Sequence, residues 1–153
     1  MEIAELITPQ SVIARLHVQN KRQLVAELAK RASVLTGLPE RTIAEVLAER
    51  ERAGSTGIGS GIAIPHGKLP ELSRFYGIFA RLERPIAFEA IDEEPVDLVF
   101  MLLTPQDAGA EHLKTLARVS RLLRDRTICD KLRGCDRAEG LYVLLTDLTG
   151  QPP

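Results

Sequence analysis

The sequence predicts an α/β fold, in which one mixed β-sheet is sandwiched between helices in a single domain covering residues 1–153. A chain of 153 residues suits one domain and is long enough to bury a substantial core. The most apolar stretch, residues 96–104, is typical of a central strand that is covered on both faces. Strand-like and helical segments alternate along the chain, so helices are expected on both faces of the sheet.

The first half of the chain is predicted to contain a strand region and a helix. Residues 1–10 form a weakly specified lead-in, where Thr8 and Pro9 favour a turn or a short helical start. Residues 12–18 alternate loosely and are predicted to form one or two short strands. A first helix is expected over residues 21–35, because apolar side chains recur there at helical spacing. These positions are Leu24, Leu28, Ala32 and Leu35.

A second helix is predicted to follow after a short break. Gly37 is a natural C-terminal cap for the first helix, and Pro39 suits the first position of the next. The second helix is expected to end near Arg52 and to continue directly into a glycine-rich loop. After that loop, residues 62–64 indicate a brief buried strand. Pro65 must lie at the end of this strand because it cannot donate to a ladder.

The second half is predicted to contain the main strands. A polar connection over residues 68–74 is followed by a strand at 76–82, where apolar residues alternate. A shorter strand or edge segment is expected at 85–88, and the central strand at 96–104 is ended by Pro105.

Three helices are predicted to complete the chain. The first covers residues 107–123 and the second, short one covers 127–132 before Gly134. Asp136 and Glu139 have the spacing of a capping box, which indicates a last helix that reaches about residue 147. A tail from about 149 to 153 is expected to be disordered.

Composition excludes several function classes. The net charge of −1 gives no broad field for nucleic acid or a membrane surface, and the longest apolar run, residues 98–103, is too short to span a bilayer. No basic region precedes an apolar one at the N-terminus, so no signal peptide is expected. Cys129 and Cys135 form no CxxC motif and are expected to be reduced. We therefore expect a cytoplasmic protein that binds no nucleic acid, inserts into no membrane and uses no cofactor.

The glycine-rich stretch before His66 has a composition typical of loops that approach anions closely. It lacks the lysine of a Walker A loop, and a helix precedes it where a dinucleotide fingerprint needs a strand. Its backbone N–H groups and small hydroxyls nevertheless predict a phosphate-binding loop. The residues expected to take part are Ser55, Thr56, Gly57, Gly59 and Ser60.

Three side chains are candidates for chemistry at the same rim of the sheet. His66 follows the short buried strand, although a structural histidine that ends a strand is an equal alternative. His112 is expected in the first turns of a helix after the central strand, where the helix dipole favours an anion. Arg50 precedes the loop and offers a bidentate, permanently charged fork, unless it is simply solvated.

These residue types favour a phosphorylated histidine over other kinds of site. No HxH or HExxH pattern is present, so no metal site is expected. Ser55 and Ser60 lack the strand–elbow–helix context of a catalytic serine. Transfer of a phosphoryl group needs mainly positioning and charge stabilisation, which two imidazoles, an arginine and loop N–H groups can supply.

The segment from residue 50 to 68, RERAGSTGIGSGIAIPHGK, resembles the signature of the mannitol/fructose-class IIA proteins of the phosphoenolpyruvate-dependent phosphotransferase system. It is most similar to their nitrogen-regulatory subgroup. The segments PIAFEAID at 85–92, PVDL at 95–98 and EHL at 111–113 also resemble that subgroup. The resemblance extends from about residue 13 to 146.

This resemblance implies a mixed sheet between helices and assigns roles to the three side chains. His66 would accept the phosphoryl group on Nε2, from a histidine phosphocarrier of the HPr type. Arg50 and His112 correspond to the active-site arginine and second histidine of the family. The output would be regulatory, through target proteins that sense the phosphorylation state. The alternatives are a sugar-specific IIA that passes phosphate to a IIB permease component, and a non-catalytic binding module.

Overall fold

The computed structural model describes residues 1–150, with side chains as far as residue 147. The strands are β1 Val12–Leu16, β2 Gly57–Gly59, β3 Ile62–Ala63, β4 His66–Leu69, β5 Tyr76–Ile86 and β6 Val96–Pro105. The helices are α1 Ile3–Leu6, α2 Lys21–Thr36, α3 Glu40–Arg52, α4 Ala110–Arg124, α5 Arg126–Arg133 and α6 Ala138–Gly150. A 3₁₀ turn at Pro9–Ser11 precedes β1.

The six strands form one mixed sheet organised around β6. The strand β5 pairs with one edge of β6 in antiparallel orientation and also pairs in parallel with β1. Along the other edge of β6, β3 and then β4 pair in parallel. Residues 64 and 65 separate β3 from β4, because Pro65 has no N–H to donate. At the level of His66 the sheet edge is therefore β4.

Helices cover both faces of the sheet, as predicted. On β6, Val99, Met101 and Leu103 face a core that includes residues of α2 and α3. The intervening Leu98, Phe100 and Leu102 face a second core, which includes residues of α1, α4, α5 and α6. All six of these side chains are fully buried. The two-sided burial explains why the sequence of β6 is continuously apolar rather than alternating.

The predicted caps and boundaries are mostly confirmed for the long elements. Gly37 ends α2 with a φ of 79° and donates its N–H to Ser33, as a left-handed C-terminal cap does. Of the two options at Thr8 and Pro9, the helical one forms, as the 3₁₀ turn. Pro39 is the N-cap of α3 in extended conformation, one position earlier than predicted.

Other boundaries differ from the predictions. The helix α4 begins at Ala110 rather than 107, and α6 begins at Ala138, so Asp136 is not the residue immediately before it. The helix α6 continues to Gly150, so residues 149 and 150 are helical rather than disordered. The rest of the predicted tail, residues 151–153, lies outside the described residues.

Two short strands were not predicted. The segment 57–59, expected to be loop, forms β2 and pairs in antiparallel orientation with β3. Lys68 and Leu69, expected in a polar connection, belong to β4 and pair with β6. The strand β5 also extends past residue 82 to Ile86 and so includes the start of the predicted edge segment. The short strands are held by pairing with neighbours distant in sequence, which local composition does not reveal.

Candidate functional site

His66 is the first residue of β4 and lies half-buried at the sheet edge. Its Nδ1 lies 2.8 Å from the carbonyl oxygen of Ile64. A carbonyl oxygen can only accept, so Nδ1 carries the proton of the neutral ring. The lone pair of the ring is therefore on Nε2.

Arg50 contacts this Nε2 directly. The Nε of Arg50 donates to Nε2 of His66 at 3.2 Å, and its Nη1 donates to the carbonyl oxygen of Gly54 at 2.8 Å. The second bond fixes the guanidinium plane, so that one edge faces the imidazole. Burial lowers the pKa of His66, and the positive charge of Arg50 lowers it further, against the opposing effects of the Ile64 hydrogen bond and Glu51. The imidazole is therefore neutral at pH 7 and presents a nucleophilic nitrogen.

His112 lies beside His66, in the first turn of α4. The two ring centroids are 5.8 Å apart and the rings are inclined at 56°. His112 is buried, with 6% of its surface exposed, and its Nδ1 lies 2.7 Å from the hydroxyl of Thr104. Burial lowers the pKa of His112, and the nearby charges of Lys68 and His66 lower it further.

An open cleft of about 300 Å³ gives access to His66. It lies between the β2–β3 hairpin and α4. Its walls combine small polar and apolar side chains: Arg50, Ser55, Thr56, Ile58, Ile64, His66, Leu116, Ala117 and Ser120. The cleft is open to solvent and large enough to admit a phosphoryl group.

The predicted phosphate-binding loop is only partly in this cleft. Ser55 and Thr56 line it, whereas Gly59 and Ser60 line a neighbouring cavity of about 640 Å³. The backbone N–H groups of Thr56, Gly57 and Ser60 already donate to side chains of the protein. These three N–H groups thus have partners within the protein in this structure, and a role of the loop in binding phosphate stays a prediction.

Sequence reasoning missed a buried ionic network that supports the loop. The carboxylate of Glu51 accepts hydrogen bonds from the backbone N–H and the hydroxyl of Thr56, and it lies 2.8 Å from the ammonium of Lys21. The Lys21 ammonium also lies 4.3 Å from the ring centroid of Phe88. The network anchors the segment whose Gly54 carbonyl holds Arg50. Glu51 directly follows Arg50 in sequence. A charged turn at a helix end is usually solvated, so the residue types there do not predict a buried network.

Thr104 is the second residue that the sequence did not identify. The sequence predicts Thr104 at the end of the central strand, and the apolar residues around it give no indication of a polar role. The parallel register of β4 and β6, together with the return of the chain into α4, brings its hydroxyl to His112.

The structure offers neither a metal-binding cluster nor a membrane-spanning helix in the part of the chain that it describes. Among these residues, no group of three or more histidine, cysteine or acidic side chains is arranged to hold a metal ion. None of their helices is both long and apolar enough to cross a bilayer.

Comparison with known proteins places the chain in one family. The family model described as phosphoenolpyruvate-dependent sugar phosphotransferase system, EIIA 2, matches residues 5–147. A nitrogen regulatory protein of Bradyrhizobium diazoefficiens is 52% identical over 145 residues, which is 95% of each chain. The nitrogen regulatory protein of Escherichia coli K12 is 43% identical over 153 residues, covering 99% of this chain and 94% of that one.

A solved structure gives the same result. The nitrogen regulatory protein IIA-Ntr of Neisseria meningitidis superposes with a TM-score of 0.89 at 33% identity, covering 94% of this chain and 99% of that chain. The mixed sheet between helices is thus the fold of that protein, which confirms the fold predicted from the sequence. The chain belongs to the EIIA type 2 family of the phosphoenolpyruvate-dependent sugar phosphotransferase system, among its nitrogen regulatory proteins.

Proposed function

We propose that the protein is a phosphoryl carrier whose His66 accepts a phosphoryl group on Nε2. The observation that carries this proposal is the pair of contacts on the His66 ring. The Ile64 carbonyl fixes the proton on Nδ1, and Nε2 faces Arg50 beside the open cleft. A histidine with a structural role alone would need no such orientation of its lone pair.

The transfer follows from this geometry. The Nε2 lone pair of His66 attacks the phosphorus of a phosphohistidine on the donor protein, and a new P–N bond forms as the donor's P–N bond breaks. The donor imidazole leaves with the electron pair of the broken bond. In such reactions the protein has little covalent chemistry to perform, so positioning and charge stabilisation supply most of the rate enhancement.

Arg50 and His112 have different roles in this mechanism. The guanidinium of Arg50 hydrogen-bonds to Nε2 in the free protein. This bond breaks as the donor approaches, so that the Nε2 lone pair can attack, and the freed N–H of Arg50 then donates to the phosphoryl oxygens. His112 lies beside the acceptor ring, where it can donate a hydrogen bond to the phosphoryl group. Ser55 and Thr56 form part of the cleft wall that receives this group.

The donor is a cytoplasmic histidine phosphocarrier of the HPr type, and the output is regulatory. Similarity to nitrogen regulatory proteins supports regulation: target proteins bind differently to the phosphorylated and unphosphorylated forms. The family description, which names a sugar phosphotransferase system, supports a second function, onward transfer to a sugar-specific IIB component. A non-catalytic binding module would retain the cleft without accepting phosphate.

The test is phosphorylation with purified components. Incubation with phosphoenolpyruvate, the first enzyme of the system and an HPr-type carrier should add one acid-labile phosphoryl group, detected by mass spectrometry. His66→Ala should abolish the addition while leaving the circular dichroism spectrum unchanged. His17→Ala is the matched control, because His17 is exposed and follows β1, and it should be labelled fully.

Each alternative predicts a different result. Full labelling of His66→Ala would refute the assignment, and failure of the wild type to accept phosphate would favour a binding module. Rapid loss of the label to a purified IIB component would favour the sugar-transport function over regulation.

A further inference from the structure

Lys68 lies on the same strand as His66 and faces the same side of the sheet. Side chains alternate between faces along a strand, so residues 66 and 68 share one face and residue 67 takes the other. Gly67 indeed faces α3, where an added Cβ would overlap Cγ1 of Val46. Leu69 belongs to the core on that same side. His66 and Lys68 therefore both face α4, where His112 lies beside the acceptor ring.

The pairing of β4 with β6 places Lys68 next to the second histidine. Lys68 is opposite Thr104 in the parallel register, and the Thr104 hydroxyl is the partner of His112. The charge of Lys68 contributes to the lowered pKa of His112, consistent with an ammonium nearby. Two residues along a strand span roughly 6–7 Å, a distance that an extended lysine side chain covers.

The Lys68 ammonium is also available. Lys68 is exposed, and among the residues whose side chains the structure describes it makes neither a salt bridge nor a hydrogen bond. Arg50, in contrast, is bound to Gly54 and approaches His66 from the end of α3. The site thus has one cation held in place, Arg50, and a second, Lys68, that is unpaired among the described side chains.

We propose that Lys68 is a further catalytic residue, whose ammonium contacts the phosphoryl group as it is transferred to and from His66. This inference rests on the proposed function of His66. Arg50 holds the phosphoryl oxygens as a bidentate fork, while Lys68 supplies a compact charge that can follow the group between the donor and His66. Removal of Lys68 should therefore slow transfer without preventing phosphorylation.

The test compares Lys68→Met with Lys68→Arg and with Lys30→Met. Lys30 is an exposed lysine of α2, which packs on the opposite face of the sheet, so its loss changes the net charge equally away from the site. Single-turnover transfer from phosphorylated HPr-type carrier should be about tenfold slower in Lys68→Met. It should be partly restored in Lys68→Arg, which keeps the charge but not the compact ammonium, and it should equal the wild-type rate in Lys30→Met.

A second measurement separates contact with the phosphoryl group from docking of the carrier. In isolated phosphorylated protein, the ³¹P chemical shift follows the protonation of the phosphohistidine ring, which bears the P–N bond. Arg50 from α3, His112 from α4, Lys68 from β4 and the neighbouring Glu51 are the charged or titratable groups around it. A nearby ammonium disfavours the protonated form of the ring, so Lys68→Met should raise the titration midpoint by about half a pH unit.

Each result decides the inference. A slower transfer together with a raised midpoint in Lys68→Met supports it. An unchanged midpoint overturns it, even where transfer is slower, because the lysine would then act only in docking. If wild-type protein accepts no phosphate, both the proposed function and this inference fall; if it does and Lys68→Met matches it, only this inference falls.

Discussion

At the scale of single residues, the protonation of His66 makes the first prediction. Because burial lowers the pKa of His66, its nucleophilic form should persist below the ordinary histidine pKa of about 6.5. An NMR titration of the His66 ring should give a midpoint below that value, and phosphoryl loading should persist to the same pH. A midpoint at or above the ordinary value would contradict the structure. The resonance of the His66 ring is assigned by its absence from the spectrum of His66→Gln.

The same lowered pKa links acidity to stability. The unfolded chain binds a proton at His66 near the ordinary pKa, whereas the folded protein binds it only at lower pH. The unfolded state therefore holds more protons in this window, and stability rises with pH. The contribution is complete above the ordinary pKa and is lost as the pH falls through the window below it. His112 acts in the same direction, because its pKa is also lowered by burial.

Arg50 makes the second prediction. It uses Nε toward His66 and Nη1 toward Gly54, and a lysine has one ammonium in place of these separated donors. Arg50→Lys should fold normally but load phosphate on the order of tenfold more slowly. The rate is measured by quenching the transfer reaction at successive times. The control is Arg52→Lys, at an exposed position in the same helix turn. Equal rates in the two variants would show that the fork is not needed.

Thr104 makes the third prediction. Thr104→Val removes the hydroxyl partner of a buried imidazole while keeping the side-chain shape, so unfolding free energy should fall by about 1–3 kcal/mol. Thr104→Ser keeps the hydroxyl and should retain most of the stability. Denaturant unfolding of both variants measures the difference, and a stable Thr104→Val would mean that His112 finds another partner.

The candidate residues could be predicted because their signals are local. His66 stands between a proline and a glycine after a glycine-rich stretch, and Arg50 precedes that stretch directly. The supporting residues could not be predicted in this way. Thr104 sits within an apolar run, and Glu51 in a charged turn, so only the folded chain reveals the hydrogen bonds that these side chains make.

At the scale of elements, the distance between α3 and β4 determines whether Arg50 can reach His66. Gly67 allows Val46 of α3 to pack directly on β4. Arg50 follows Val46 by four residues and so lies on the same face of the helix. Gly67→Ala should push α3 away, lower the unfolding free energy by about 1–3 kcal/mol and slow loading through the longer Arg50–His66 distance.

A double variant tests the cause of that effect. Val46→Ala removes the atom that the new Cβ would strike, so Gly67→Ala/Val46→Ala should recover loading relative to Gly67→Ala alone. Stability measured by denaturant unfolding should show the same positive coupling between the two sites. Strictly additive effects would indicate that the glycine is needed for another reason.

Element prediction succeeded where sequence pattern and tertiary environment agree. The strand β6 is apolar throughout because both of its faces are buried, and α2 shows its apolar side at helical spacing before a glycine cap. The strands β2 and β4 were not predicted, because glycine, histidine and lysine make up most of their sequence and do not indicate a strand. Their conformation comes from pairing with β3 and β6, which lie elsewhere in the chain.

At the scale of the whole molecule, the proposed phosphorylation of His66 would change the charge of a nearly neutral protein at one rim of the sheet. The net charge is −1, and a phosphoryl group on His66 adds roughly two negative charges. A target that docks over the cleft of unphosphorylated protein would meet this group directly, with the HPr-type carrier as a competitor for the same surface.

The last prediction concerns Ile58, which is half-buried and lines the cleft beside His66. Under the proposed function, a carboxylate at this position would lie where the carrier and the target are both expected to approach. Ile58→Glu should therefore weaken binding of the HPr-type carrier and of a regulated target by on the order of tenfold each, measured by calorimetry. Val34→Glu is the control, because Val34 is 80% exposed on α2, which packs on the other face of the sheet. Equal weakening by both variants would reflect charge alone, and an effect on the carrier without one on the target would mean that the two partners use separate surfaces.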